Sequence, residues 1–325
     1  MAPHVNSPDP TASGSGRVVQ PEPQELDPTR PSGFLVEEER GSDGRVVCGA
    51  VVFLTNRRCP WRCLYCDLWK HTTSRPVPAG AIPAQLDYAL TRLRSAGPGP
   101  IRQVKLYNRG SFFDRGAIPA EDFPAIAQRV RPFRRVIVES HPALVGAPAT
   151  RFRDLLRGRL EVAMGLETAH PVVLARLNKR MTLDQFARAV DVLRSQRIDV
   201  RAFILVQPPF VPETHALEWA VHSIEFAFAC GASVAVLIPT RGGTAVMDDL
   251  AARGDFSPPR LATLEAALAH GIRQRRGRVF ADTWDLDRFA TCPDCLPART
   301  RRIHEMNLRQ ECLPPVVCES CGTAS

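Results

Sequence analysis

Val51-Val-Phe-Leu-Thr55-Asn-Arg-Arg-Cys59-Pro-Trp-Arg-Cys63-Leu-Tyr-Cys66 is the stretch from which the rest of the chain can be read. Its first half is an apolar, β-rich run, so residues 51–55 read as a strand. Its second half sets three cysteines on one short loop, with three and then two residues between them. The thiols therefore sit just past a strand's C-terminal end. Three thiolates on such a loop can hold three irons of a [4Fe–4S] cube, whose usual ligand set is four cysteines. The missing fourth leaves one iron open to a small molecule. The plainer alternative is a zinc knuckle or three unrelated thiols. Zinc wants a fourth ligand, for which Cys48 or His71 can be put forward, neither at a standard spacing.

Working outward, Phe34–Arg40, the turn Gly41-Ser-Asp-Gly44 and Arg45–Leu54 predict a hairpin that feeds the first barrel strand. Leu86, Ala89, Leu90 and Leu93 form the apolar stripe of a helix over 83–94. Strands are expected at 101–107, 135–140, 160–167, 200–206 and 233–238. Helices are expected at 119–130, after a Thr182/Gln185 capping box, at 214–229 ahead of Gly231, and from Ser257-Pro258 with proline at the first helical position. Six strand–helix units in series predict a parallel sheet with right-handed crossovers. The fold class is α/β, a partial (β/α)6 TIM-like barrel with a small C-terminal cysteine-rich metal-binding extension. Barrel active sites gather at the strands' C-terminal ends, where the cysteine loop falls.

Residues 1–31, rich in Pro, Ser, Gly and Thr, read as a disordered tail. Residues 32–285 read as the barrel and 286–325 as the extension. In the extension, Cys292-Pro-Asp-Cys295 and Cys318-Glu-Ser-Cys321 are paired CxxC units, the usual scaffold of a four-cysteine zinc site. Cys312 between them keeps an auxiliary Fe–S cluster open as the alternative. Arg299, Arg301, Arg302, His304 and Arg309 could meet phosphates or form a solvated helix face. Cys48 and Cys230 lie in apolar stretches and read as buried core thiols.

The net charge is +8, carried almost wholly by arginine, with lysine only at Lys70, Lys105 and Lys179. The excess invites a nucleic-acid partner, although abundant Ala and Pro point equally to a compositional bias. Ten clustered cysteines without a secretory h-region fit metal chemistry in a reducing, cytoplasmic compartment. No apolar run reaches the length of a membrane span.

The Cys59/Cys63/Cys66 motif, with Tyr65 before its last cysteine, resembles that of the radical SAM superfamily. The resemblance implies that S-adenosylmethionine chelates the open iron, and that one electron breaks a C–S bond to give a 5′-deoxyadenosyl radical. It also implies a (β/α)6 core. Strand-end residues would then line the cofactor site. After the second strand, Asn108, Gly110 and Ser111 partly match a Gly-Gly-Glu type segment that meets the SAM amino group, but the Glu is absent. Taken by itself, Gly110 is as readily a plain loop glycine. Glu139 and Glu167, ending the third and fourth strands, would accept hydrogen bonds from the ribose or the SAM ammonium, their alternative being surface acids. Asn178-Lys179-Arg180-Met181-Thr182 is similar to an Asn-Arg-x-x-Thr pattern of the Elongator-like and methylthiotransferase-like branch. By that match Lys179 would pair with the SAM carboxylate.

With Glu-Ser-His-Pro, Gly-Leu-Glu-Thr and Gln207-Pro-Pro-Phe, residues 45–285 look most like archaeosine-forming tRNA-modifying members. The implied partners are tRNA and an electron donor such as flavodoxin or ferredoxin. Two other readings stay open. One is a radical SAM enzyme acting on a small molecule or peptide with an auxiliary Fe–S cluster. The other is a non-catalytic RNA-binding Fe–S protein.

Overall fold

A computed structural model describes residues 26–94 and 99–322. The expected N-terminal tail lies, up to residue 25, outside the described residues. The hairpin forms as the sequence suggests: β1 (Gly33–Arg40) pairs antiparallel with β2 (Val46–Phe53). After the cysteine loop come α1 (Ala81–Leu93), β3 (Ile101–Tyr107), α2 (Phe123–Val130), β4 (Arg135–Glu139) and α3 (Ala147–Leu155). The chain continues through β5 (Arg159–Glu167), α4 (Pro171–Arg176), α5 (Leu183–Ser195), β6 (Asp199–Val206) and α6 (Ala216–Cys230). It ends with β7 (Val234–Pro239), α7 (Ala245–Ala252), α8 (Leu261–Gln274), β8 (Arg278–Ala281) and α9 (Leu296–Arg309).

The strands join in one sheet ordered β1 to β8, parallel from β2 onward. The partial α/β barrel is as expected, and the count of six parallel strands is corrected by a seventh, β8. That strand is four residues long and follows the basic run Arg273-Gln-Arg-Arg-Gly-Arg278, so no alternation betrays it. The helix expected from Ser257 is also corrected, because α8 begins at Leu261 with Arg260 as its N-cap. The intervening segment is held extended instead. The Gln207 side chain donates to the Ser257 carbonyl (3.1 Å) and Phe210 N–H donates to Asp255 (2.7 Å). Cys48 and Cys230 are half-buried rather than core thiols.

Alternation sorts the strand residues into two faces. Val52, Val104, Val136, Val162, Ala202 and Ala235 are buried beneath the helix layer in one apolar cluster. The opposite face looks into the barrel, as contacts between strands that are not sheet neighbours demonstrate. The rings of Tyr107 on β3 and Phe203 on β6 lie 6.2 Å apart. Arg201 on β6 donates to Glu39 on β1 (2.7 Å), and Arg278 on β8 lies 3.8 Å from Glu161 on β5. Only a curled sheet brings these pairs together.

The barrel floor is a charged network. Glu37, Glu39, Glu161 and Asp199 meet Lys105, Arg135, Arg201 and Arg278, with the more exposed Arg159 also on Asp199. Burial pushes the Glu39 carboxyl up, but Arg201 and Lys105 outweigh it and hold it well below the usual carboxylate range. Deleting one partner would strand a buried charge, at a cost of about 3–5 kcal/mol.

The gap between the sheet's two edges is covered by α9. Asn307 accepts from Ala281 N–H (2.9 Å) and donates to its carbonyl (2.8 Å), and Gln310 does the same with Val279 (2.8 Å both ways). Two side-chain amides thus stand in for a neighbouring strand and seal the β8 edge. On the other side, Arg40 of β1 reaches the Leu308 carbonyl (3.4 Å).

Candidate active site

The cysteine loop leaves the C-terminal end of β2 and is fastened from several directions. Arg58 N–H donates to Thr73 (3.0 Å) and Leu64 N–H to Leu177 (3.1 Å). The Asn178 side chain donates to the Arg62 carbonyl (2.8 Å). The Trp61 ring stacks on His141 at 4.0 Å with only 10° between planes. His141 is itself locked: its Nδ1 accepts from Ala143 N–H (3.1 Å), so Nε2, 3.0 Å from the Lys179 carbonyl, must carry the proton. Burial and the nearby Lys179 push His141 down to about 4, which keeps the ring neutral.

Burial raises all three loop thiols, Cys59 to about 11, with the charge of Lys179 pulling Cys59 and Cys63 the other way. Beside them Lys179 and Glu167 form a buried pair at 2.6 Å. Burial pushes Lys179 down, but Glu167 and Cys63 more than offset it, so the ammonium stays charged. Tyr65 joins the same knot, its hydroxyl raised well above the ordinary range by burial and the neighbouring Glu167. A glycine makes the pair fit: a Cβ on Gly165 would stand 1.9 Å from Glu167 Oε1 and 2.6 Å from Lys179 Nζ.

The loop after β3 touches the cysteine loop, where a Cβ on Gly110 would come within 3.3 Å of Cys59 Cβ. Gly110 N–H donates to Glu139 (3.3 Å), and the Asn108 and Arg109 amides also face that carboxylate. Burial nevertheless raises Glu139 to about 7. Ser111 is buried, its hydroxyl accepting from His141 N–H (2.9 Å). Tyr65, Glu167 and Lys179 are thus gathered at the thiols, whereas Glu139 and Ser111 brace neighbouring loops.

The donor set suits the two groups the motif calls for. Three thiols from one loop can take three irons. The Asn108 side chain is fully buried, and neither its oxygen nor its nitrogen has a partner. A buried primary amide left in that condition is costly, and a polar guest would satisfy it. Most of the described non-glycine residues with positive φ fall on the same face, Arg197, Arg275 and Gln310 being the exceptions. Arg109, Glu167, Asn178, Arg180, Gln207 and Phe210 all have positive φ, and all lie in or at the loops beyond the strands' C-terminal ends. Sequence reading missed His141 and Trp61 as fasteners of the loop, because stacking between residues eighty apart leaves no local pattern. The first half of the loop itself, with Arg57, Arg58, Cys59, Pro60 and Arg62, joins Ser74 to line a cavity of about 430 Å³ open to solvent.

At the other end of the chain, the ligand atoms of Cys292, Cys295, Cys318 and Cys321 all lie within 4.8 Å of one another. The Sγ atoms of Cys292 and Cys318 are 3.9 Å apart. Cys312 stands apart, its thiol turned to the Ala269 carbonyl (3.3 Å). Arg299, one candidate for phosphate contact, is instead buried against Glu265 (3.0 Å), and Arg302 joins it at 3.1 Å. Both tie α9 to α8.

A family model described as the radical SAM superfamily matches residues 53–220, just over half of the chain. An uncharacterised protein of Methanocaldococcus jannaschii is 22% identical over 250 residues, covering 72% of this chain and 67% of that protein. Archaeosine synthase subunit beta of Methanosarcina acetivorans is 27% identical over 221 residues, 65% of this chain and 63% of that protein. The chain therefore spans about two thirds of the length of these relatives. Among solved structures, the archaeal Elp3 of Methanocaldococcus infernus, with its N-terminus deleted, superposes with a TM-score of 0.52 at 12% identity. The match covers 69% of this chain and 59% of that one, and at that identity the likeness is one of fold.

Proposed function

The chain belongs to the radical SAM superfamily and is an enzyme of that class, and from this premise we propose that it modifies a nucleoside of tRNA. What carries the reading is the meeting, at the strands' C-terminal ends, of the three-cysteine loop, the unpartnered Asn108 amide and the Glu167–Lys179 pair. When bound, a [4Fe–4S] cluster with SAM supplies one-electron reductive cleavage of a C–S bond. Cys59, Cys63 and Cys66 would hold the cluster, releasing their protons as they bind. Lys179 and Glu167 offer one cation and one anion, which suits the carboxylate and ammonium of an amino acid. Asn108 offers a donor and an acceptor, and Tyr65 fixes the Glu167 carboxylate. The barrel wall keeps bulk water from the reacting atoms.

The tRNA substrate is supported by the likeness to an archaeosine synthase subunit and by the arginine-lined cavity beside Cys59. In the same reading, residues from about 286 onward form a metal-held extension, with Cys292, Cys295, Cys318 and Cys321 binding zinc. Tetrahedral zinc with Zn–S bonds of about 2.3 Å sets its sulfurs about 3.8 Å apart, close to the 3.9 Å between Cys292 and Cys318. The extension's role is to hold α9 against the barrel edge. An electron donor of the flavodoxin or ferredoxin kind completes the system. Among the described residues no helix is long and apolar enough to cross a membrane.

Anaerobic reconstitution with iron, sulfide and zinc, followed by metal analysis and a dithionite-driven SAM-cleavage assay, tests the reading. About four irons and one zinc per chain, with release of 5′-deoxyadenosine, are expected. About eight irons would replace zinc by a second cluster, and a loaded cluster without SAM cleavage would overturn the enzymatic role.

A further inference from the structure

Trp284 follows β8 at the catalytic end of the barrel and is 56% exposed, the one aromatic among the strongly exposed large apolar side chains of the described residues. It is exposed yet held. Arg241 donates to the Trp284 carbonyl (2.6 Å) and is anchored on Asp282 (3.0 Å), while Trp284 N–H donates to Asp282 (3.0 Å). The indole meets Phe53 edge to face, at 6.1 Å and 83°. Such a contact cannot cover both faces of an indole. From Phe53 the rings continue inward, to Tyr107 at 6.3 Å and from there to Phe203 at 6.2 Å. Arg109 lies 5.5 Å from the Phe53 centroid. Phe53, Tyr107 and Phe203 face the barrel interior and each keeps part of its surface exposed. An aromatic file thus runs from the rim into the barrel above its charged floor.

Two hydrogen bonds fix the Trp284 backbone and Phe53 braces the indole edge to face, so less freedom is lost when a flat partner binds its open face. The cavity lined by Arg57, Arg58 and Arg62 lies on the same end of the barrel, which favours a partner that also carries phosphates. We infer that Trp284 is a stacking platform for an unpaired RNA base, presenting the substrate strand to the barrel mouth. This rests on the tRNA reading and adds the residue that would receive the base.

The test is binding of an unmodified, end-labelled tRNA transcript to the reconstituted protein, followed by anisotropy over a salt series and by intrinsic fluorescence. Loss of one base–aromatic stack weakens binding roughly 5- to 100-fold, so Trp284→Ala should fall in that range with the salt slope of the wild type. Trp284→Phe should bind within about threefold of the wild type, because it keeps a π-face, yet lose most of the RNA-induced quenching. Wild-type affinity in Trp284→Ala, with quenching intact in Trp284→Phe, would overturn the platform and leave the tRNA reading standing. No binding of the transcript by the wild type, even at low salt, would overturn both. Should Trp284→Ala misfold, the quenching comparison still decides.

Discussion

Cys59, Cys63 and Cys66 lie along one loop that other strand ends fasten, whereas Cys292, Cys295, Cys318 and Cys321 approach from both sides of α9 and converge within 4.8 Å. The first set has beside it a buried ion pair, a tyrosine hydroxyl and an amide with nothing to bond. The second also has a buried ion pair beside it, but one turned to structure: Arg299 and Arg302 pair with Glu265 of α8, and Arg299 also meets Cys295. Thiols in one protein can therefore serve opposite ends. A set with an open side and unsatisfied polar groups is arranged to receive a guest. A set of four that converges from the two ends of a helix is suited to hold that helix in place.

The sharpest way to break this comparison is to remove one thiol from each set. Cys63→Ala should abolish iron loading and lower SAM cleavage by more than about a thousandfold, since catalysis here belongs to the cofactor, with zinc content and melting temperature nearly unchanged. A variant that keeps cleaving SAM would remove the first set from the chemistry. Cys318→Ala should do the reverse, keeping iron but losing zinc. With the support of α9 gone, about 3–5 kcal/mol of stability should be lost, seen as a drop of roughly 5–15 °C in melting. An unchanged melting temperature would show that α9 holds without the metal.

The polar groups around the first set are next in size. Lys179→Met leaves Glu167 buried without its cation, and the SAM concentration for half-maximal cleavage should rise roughly 10- to 100-fold, with Lys179→Arg recovering part of it. Equal values for Met and wild type would separate the pair from SAM binding.

The smallest effect concerns Glu139, whose carboxyl burial raises to about 7 from an unfolded value of 4.5. The native state then binds the extra proton between those values, so its contribution to stability is full below about pH 4.5. That contribution is lost as pH climbs through 7. Because the carboxylate keeps some exposure, the change should be about 1–2 kcal/mol, discounted for solvent screening. Denaturant melts between pH 5 and 8 would show it, and Glu139→Gln should flatten the slope.

Much of the barrel was legible because its signals are local. The strand at 101–107 falls on the predicted residues, and the Thr182/Gln185 capping box closes with both hydrogen bonds. Gly231 stops α6 at φ 102°. Where reading failed, a distant partner decides. Ser257-Pro258 carries a helix-start pattern, but Gln207 from the β6 loop holds that segment extended. β8 is too short to show a period, and its edge is satisfied by amides from a helix some thirty residues later. Arg299 looks like any basic residue on a polar helix until Glu265 is found against it.

By itself, the order of residues determined that three thiols share one loop past a strand, that strands and helices alternate, and that two CxxC pairs lie near the end. These follow from covalent spacing and from periods of two and 3.6, which neighbours along the chain enforce. Tertiary structure alone decided that the floor is a network of paired acids and bases, that His141 stacks under Trp61, and that Glu167 and Lys179 pair across Gly165. The network depends on curling the sheet, which brings side chains from strands that are not neighbours to within ion-pair reach. The other two depend on how the loops at the strand ends fold over one another. In that enclosed space a buried charge needs a partner brought to it by the fold.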